Sequence, residues 1–435
     1  MLLVSSSVSA LAAALDLAEV GVKVWIADVP GRVPHGPVRD PHGTVKTLLD
    51  ELAAPIADGG RPEPSVRPTQ SAPAPVQLRG HDGRWQPVPE AAPWGIPTVP
   101  LASDCLNLLG FGGAMRAYLD RLKPVLTIGK EENLAKLVQS RMGAQVLKLL
   151  VEPLVFERFG AHAEELEVAA VAPGLNESLT RAGSLSGGAL LHLERHVARE
   201  TLVAPARGWA RAVEVLYERL ELYGAERLDA AIVDLRSTTD GSAWAAWDDT
   251  GRVLEVAAVI TDPEQTISGA SDDFQSAREL RASEYREYAE IGIDGQRTAQ
   301  VEGGHADKLR IINSNSGEQW AARTRLHADG SWSLSLASGR RDRTEETHTI
   351  ESLAGLAEEL GLDPVPNSAT SHTVPAPFVT LEQRASAKTK VDDWNAAHPN
   401  VVLCGTELFG GELGDAIADA RDRAVHLRRR LTGIA

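Results

Sequence analysis

An α/β fold built on a parallel sheet is predicted by three stretches of this 435-residue chain. "MLLVSSSVSALAAALDLAEVGVKVWIAD" (1–28) reads as strand, turn, helix and strand. "LDAAIVDLR" (228–236) and "LEVAAVITDP" (254–263) read as further strands. "NVVLCGTELFGGELGDAIADARDRAVHLRRRL" (400–431) ends the chain as a buried strand, a glycine-bearing turn and a long helix.

Each element has a local cause. Residues 2–5 are a short apolar run, and Val8, Leu11, Ala12, Leu15 and Ala18 then recur at helical spacing until Gly21. "VKVWIAD" (22–28) alternates and closes on an acid, so the two strands are joined by one helix and run parallel. Residues 59–100 are rich in Pro and Gly, yet "VQLRGHDGRWQPVP" places Asp82-Gly83 between two β-like runs, a hairpin signal. Residues 101–201 turn helical, with "EENLAKLVQSRMGAQVLKLLVEPLV" (131–155) apolar every three to four residues. "AVEVLYERLELYGAE" is a helix in the α/β stretch 202–263. Residues 266–390 alternate, as in "WSLSLASG", and predict an antiparallel sheet carrying the helix "TIESLAGLAEELG" (349–361). Arg428–Arg430 suit the negative end of the last helix.

Composition excludes several function classes. The formal net charge of −16 opposes long-range attraction to nucleic acid or anionic lipid. No run of about 18 apolar residues spans a membrane. The opening "MLLVSSSVSALAAAL" lacks the basic leader of a secretion signal, since the first basic residue is Lys23. Cys105 and Cys404 lie far apart, which argues against a disulfide framework or a zinc site and fits the cytoplasm, with peripheral membrane attachment left open. His192 and His196 share a helical face but have no third ligand, so no metal is expected. "GSLSGG" is not a nucleophile elbow, and no phosphate loop occurs. Catalytic side chains are not assigned.

The order of these stretches resembles the FAD-dependent amine-oxidase superfamily, most of all the bacterial protoporphyrinogen/coproporphyrinogen oxidases. The βαβ opening, the hairpin followed by "GIP", the helical segment ending in Glu152-Pro153, "EELEVAAVAPGL", "GSLSGG", "EVAAVITDP" and the closing motif stand in the family's order. The resemblance implies a discontinuous Rossmann-like FAD-type domain (1–58, 202–265 and 395–435). With it go a mixed or antiparallel substrate domain (59–100 and 266–394) and a helical subdomain (101–201).

It also implies cofactor-contacting positions, and here the chain departs from its relatives. Ser5, Ser7 and Ala10 stand where a dinucleotide fold carries glycines that allow the tight turn, the approach of pyrophosphate and the packing of helix on strand. Asp28 keeps the acid expected to bind a ribose hydroxyl, and Arg32 keeps the basic residue that follows. Ile232 falls in the cofactor-binding set. Of the closing turn, Gly405, Gly410 and Gly411 are kept and Glu407 could meet a ribityl hydroxyl. Glu412 and Ala420 replace glycines, and a glutamate is the wrong sign beside an anionic reduced flavin.

Two functions follow. One is a protoporphyrinogen-oxidase-like pseudoenzyme with a weakened or lost flavin site, acting as a tetrapyrrole-binding protein or as the partner of a true oxidase, or as a homodimer. The other is an active FAD-dependent oxidase that takes hydrides from a porphyrinogen or similar hydrophobic substrate and passes them to oxygen. A different nucleotide at the first βαβ unit is a third, weaker option.

Overall fold

The computed structural model describes all residues except 31–32, 57–59, 72–74, 125–130, 197–200, 239–242, 265–271, 297, 299–306, 328 and 434–435. Arg32 therefore lies outside the described residues. The chain divides into two compact units, Met1–Pro73 with Ala198–Ala282 and Arg384–Ala435, and Ala74–Val197 with Ser283–Gln383.

The first unit is organised by a five-stranded parallel sheet. Its strands are β1 (Leu2–Val4), β2 (Trp25–Ile26), β3 (Glu226–Arg227), β4 (Val259–Thr261) and β5 (Val401–Leu403), in the spatial order β5-β4-β1-β2-β3. Every pairing is parallel. Such a sheet must be covered on both faces, and alternation along the strands divides the work. Leu3, Ile260 and Val402 join the core beneath the helices. Leu2, Val4, Val259, Val401 and Leu403 join a second core. That second face is covered by a three-stranded antiparallel sheet (Ile232–Ser237, Trp244–Asp248, Val253–Val256) and by Val391 and Trp394.

The first helix, α1 (Val8–Glu19), starts at the N-cap Ser7. It stops where Gly21 takes φ +86, with Gly21 N–H donating to the Ala18 carbonyl and Val22 N–H to that of Leu17. That is the Schellman ending, which needs a residue free to adopt left-handed φ. The α1 alanines Ala10, Ala12, Ala13 and Ala14 are fully buried in one core with Ala416, Ala420 and Ala424 of the closing helix, Leu413–Leu431.

The second unit holds a larger mixed sheet. Glu284–Ile293, Trp332–Ser338, Gln319–Leu326 and Asp307–Asn313 pair antiparallel in that order, and Thr370–Pro375 lies along Glu284–Ile293. The expected hairpin forms between Val76–Arg79 and Trp85–Pro87 and joins this sheet through a parallel pairing. Helices from the 101–196 stretch pack on the sheet: Leu108, Val138, Leu150 and Phe156 share a core with Leu309, Ala321 and Ala337.

Two sequence expectations are corrected. The helix expected over 131–155 is broken at Gly143, whose φ of +98 separates Leu134–Met142 from a further helical run ending at Phe159. Within that run Leu147–Val151 forms a π-helical turn, and the backbone of Gly95 lies against it; a Cβ on Gly95 would fall 2.5 Å from the Leu150 carbonyl oxygen. The single strand expected over 254–263 is two, Val253–Val256 in the antiparallel sheet and β4 in the parallel one.

Candidate functional site

In an open parallel sheet, ligands bind outside the carboxyl ends of the strands. Here three neighbouring strands end together. β1 runs into Ser5-Ser6-Ser7, β4 into Asp262-Pro263, and β5 into Cys404-Gly405.

These ends are joined by hydrogen bonds among their own side chains. The hydroxyl of fully buried Ser5 donates to Oδ2 of Asp262 at 2.5 Å. Its oxygen accepts the Ser7 N–H at 3.1 Å and lies 3.0 Å from Oγ of Ser7. Ser7 Oγ accepts the Ala10 N–H at 3.4 Å, the N-cap bond of α1. The Ser6 hydroxyl donates to the Pro30 carbonyl at 2.7 Å and ties the turn to the loop after β2. Asp262 is only 6% exposed, and its Oδ1 accepts the Glu264 N–H at 3.0 Å. Gly405, at φ +118, closes the group; a Cβ there would meet the Asp262 Cβ at 3.4 Å.

The turn from β1 into α1 thus does without the left-handed backbone that glycine would allow. Among the described residues, Trp94 and Asn367 are the non-glycine positions at positive φ. Ser5 and Ser7 sit in ordinary conformations and spend their hydroxyls on the turn itself. Ala10 is fully buried against the sheet, the packing task of the third motif position.

The other expected positions are scattered more widely. Asp28 is exposed just beyond β2. The Tyr217 phenol is pushed up mainly by burial, with Arg227 opposing and the charge of Asp28 adding to the rise. Ile232 is buried in the second core, in the first strand of the antiparallel sheet. Glu407 is buried in the short helical turn Thr406–Leu408, and its carbonyl accepts the Ala282 N–H. Gly410 and Gly411 take φ +57 and +80, so this turn does use left-handed backbone. Glu412 is the N-cap of the closing helix and pairs with Arg39 at 3.5 Å. Ala420 lies fully buried two turns further along.

The residue that sequence reasoning missed is Asp262. Its signal was a lone acid at the end of an otherwise apolar strand, "AAVITDP". Among the described residues no group of three metal-ligating side chains occurs, and no helix is long and apolar enough to cross a membrane. His192 is buried, while the side chain of His196 lies outside the described residues. Both cysteines are free thiols; burial pushes Cys105 up to about 12, helped by Asp104, and raises Cys404 well above its usual range.

No known family model matches the chain. Coproporphyrinogen III oxidase of Bacillus subtilis (strain 168) is 20% identical over 241 residues, 53% of this chain and 50% of that protein. The chain thus spans about half the length of the curated relative it matches. Among solved structures, a protein assigned as a protoporphyrinogen oxidase from Exiguobacterium superposes with a TM-score of 0.69 at 16% identity, over 98% of either chain. Reduced UDP-galactopyranose mutase gives 0.56 at 13% identity, over 100% of this chain and 94% of its own. A putrescine oxidase with redesigned cofactor binding gives 0.53 at 12%, over 99% and 98%. With its parallel sheet and its mixed sheet, the chain shares the overall fold of these oxidoreductase structures.

Proposed function

We propose that this chain is a protoporphyrinogen-oxidase-like protein whose flavin site is weakened or lost, and that it works in the cytoplasm as a tetrapyrrole-binding protein or as the partner of an active oxidase. One observation carries this reading. A dinucleotide in this fold lays its pyrophosphate on bare backbone N–H groups at the start of the first helix. In this chain the Ser7 N–H is given to the Ser5 hydroxyl and the Ala10 N–H to the Ser7 hydroxyl. The residues present do not fit an unhindered pyrophosphate. The pairing of Glu412 with Arg39 further supports a closing turn reorganised around its own side chains.

The second reading, an active oxidase, is favoured by Gly405, Gly410 and Gly411, which keep left-handed, side-chain-free backbone at the other end of the site. An absorption spectrum of the purified protein before and after addition of FAD separates the two. The expected result is a colourless preparation with weak FAD uptake. A yellow preparation carrying stoichiometric FAD, bleached by a porphyrinogen, would establish the oxidase instead.

A further inference from the structure

We infer that Asp262 is the residue that closes this site to dinucleotides, its carboxylate standing in as the chain's own anion at the N-terminus of α1. The inference rests on the reading above, in which the flavin site is weakened, and names the group responsible.

A helix N-terminus carries partial positive charge and attracts one anion. In this chain an anion is already built in. Oδ2 of Asp262 receives the Ser5 hydroxyl, and the Ser5 oxygen receives the Ser7 N–H, so a single hydroxyl relays the carboxylate to the helix entrance. The arrangement is buried: Ser5 is 0% and Asp262 6% exposed. Salt and water therefore screen the carboxylate poorly. A pyrophosphate brought to the same helix end would add like charge beside a fixed carboxylate and would have to break the serine relay. Both effects act against it.

The carboxylate is also held in place. Its second oxygen accepts the Glu264 N–H, and Gly405 lets the turn after β5 pack against its Cβ. Rotation of Asp262 out of the site would break these contacts. Substitution of the two serines by glycine therefore leaves the repulsion intact, whereas removal of the charge lifts it.

The test compares the full-length protein with Asp262→Asn, Ser5→Gly/Ser7→Gly and the triple variant. FAD binding is read by flavin fluorescence quenching, and ADP binding, which samples the adenosine and pyrophosphate without the flavin, by thermal shift. Asp262→Asn keeps the shape and an acceptor for Ser5; Asp262→Ser is the substitute if the asparagine variant does not melt cooperatively. The expected result is that the neutral variant binds FAD and ADP at least about tenfold more tightly than wild type, or ~1.4 kcal/mol. The serine-to-glycine double variant should gain far less, and the triple variant most. A folded neutral variant with wild-type affinities for both ligands would overturn the inference and leave the weakened-site reading standing. Stoichiometric FAD in the wild-type protein would overturn that reading and, with it, the inference that Asp262 closes the site.

Discussion

His162 is held between two acceptors, Oε1 of Glu152 and, at 2.6 Å, Oε1 of Gln319. Both ring nitrogens must then donate, which favours the imidazolium. Burial acts to lower the pKa of this histidine, but its bonds to Glu152 and Gln319 and the Glu152 charge prevail and raise it. The sign of the pH effect follows. A folded-state pKa above the unfolded one gives stability that is complete below about 6.5 and fades as pH rises through the folded value. Replacement by glutamine should therefore cost more at about pH 5.5 than at about pH 8.5. Urea midpoints of both proteins at the two pH values check this, and a gap that is flat or widens with pH would exclude it. Glu152 also accepts the Ala163 N–H at 3.1 Å, so the Glu-Pro pair noted in the sequence orders the loop after its own helix.

At the scale of elements, the same device recurs: a buried aspartate serves a helix N-terminus. Asp40 accepts the N–H groups of Val45 and Lys46 at the start of Thr44–Ala53. Fully buried Asp120 accepts those of Leu185 and Ser186 and the Nε–H of Arg141. Asp262 does so through a serine.

Alpha1 and the closing helix meet through alanines, and Arg421 clamps the pair with a two-pronged bond to Asp16 at 2.8 and 2.9 Å. Side chains this small set a short interaxial distance. Ala420 is 0% exposed in that contact, so Ala420→Leu should overpack it and cost about 1–3 kcal/mol, read as a lower denaturation midpoint. An unchanged midpoint would mean that the helices stand further apart than described.

What the sequence disclosed at this scale follows from range. Alpha1, its cap and its glycine stop are local and were legible, as were the Asp82-Gly83 hairpin and the closing strand and helix. The break at Gly143 was not, because the apolar period runs through it unchanged. The split of 254–263 was not, because no proline or glycine marks Ala257 and Ala258. Ser5 and Ser7 stood out by position in the motif. Asp262 did not, since its partner lies 257 residues away in sequence.

At the scale of the whole molecule, neither unit is a continuous stretch of chain. The first is assembled from three segments, and β1, in the middle of its sheet, pairs with residues at 259–261 and at 25–26. Such long-range pairing makes folding slow and leaves early segments unfinished until late ones arrive. β5 and the closing helix supply six large aliphatic side chains no more than 5% exposed: Val401, Val402 and Leu403 of β5, and Leu413, Ile417 and Leu427 of the helix. At ~1.5–3 kcal/mol for each fully buried side chain, their burial comes to roughly 9–18 kcal/mol. A whole domain is stable by only about 5–15 kcal/mol. A chain ending at residue 397 should therefore lose the first unit outright rather than fray at one edge. Amide hydrogen exchange reads this directly: peptides from Val8–Glu19 should be protected in the full chain and exchange near the unfolded rate in the shortened one. Protection of α1 that survives the truncation would mean that the sheet and Thr44–Ala53 hold it without the closing helix, and the alanine contact would then be a refinement of the fold rather than a condition for it.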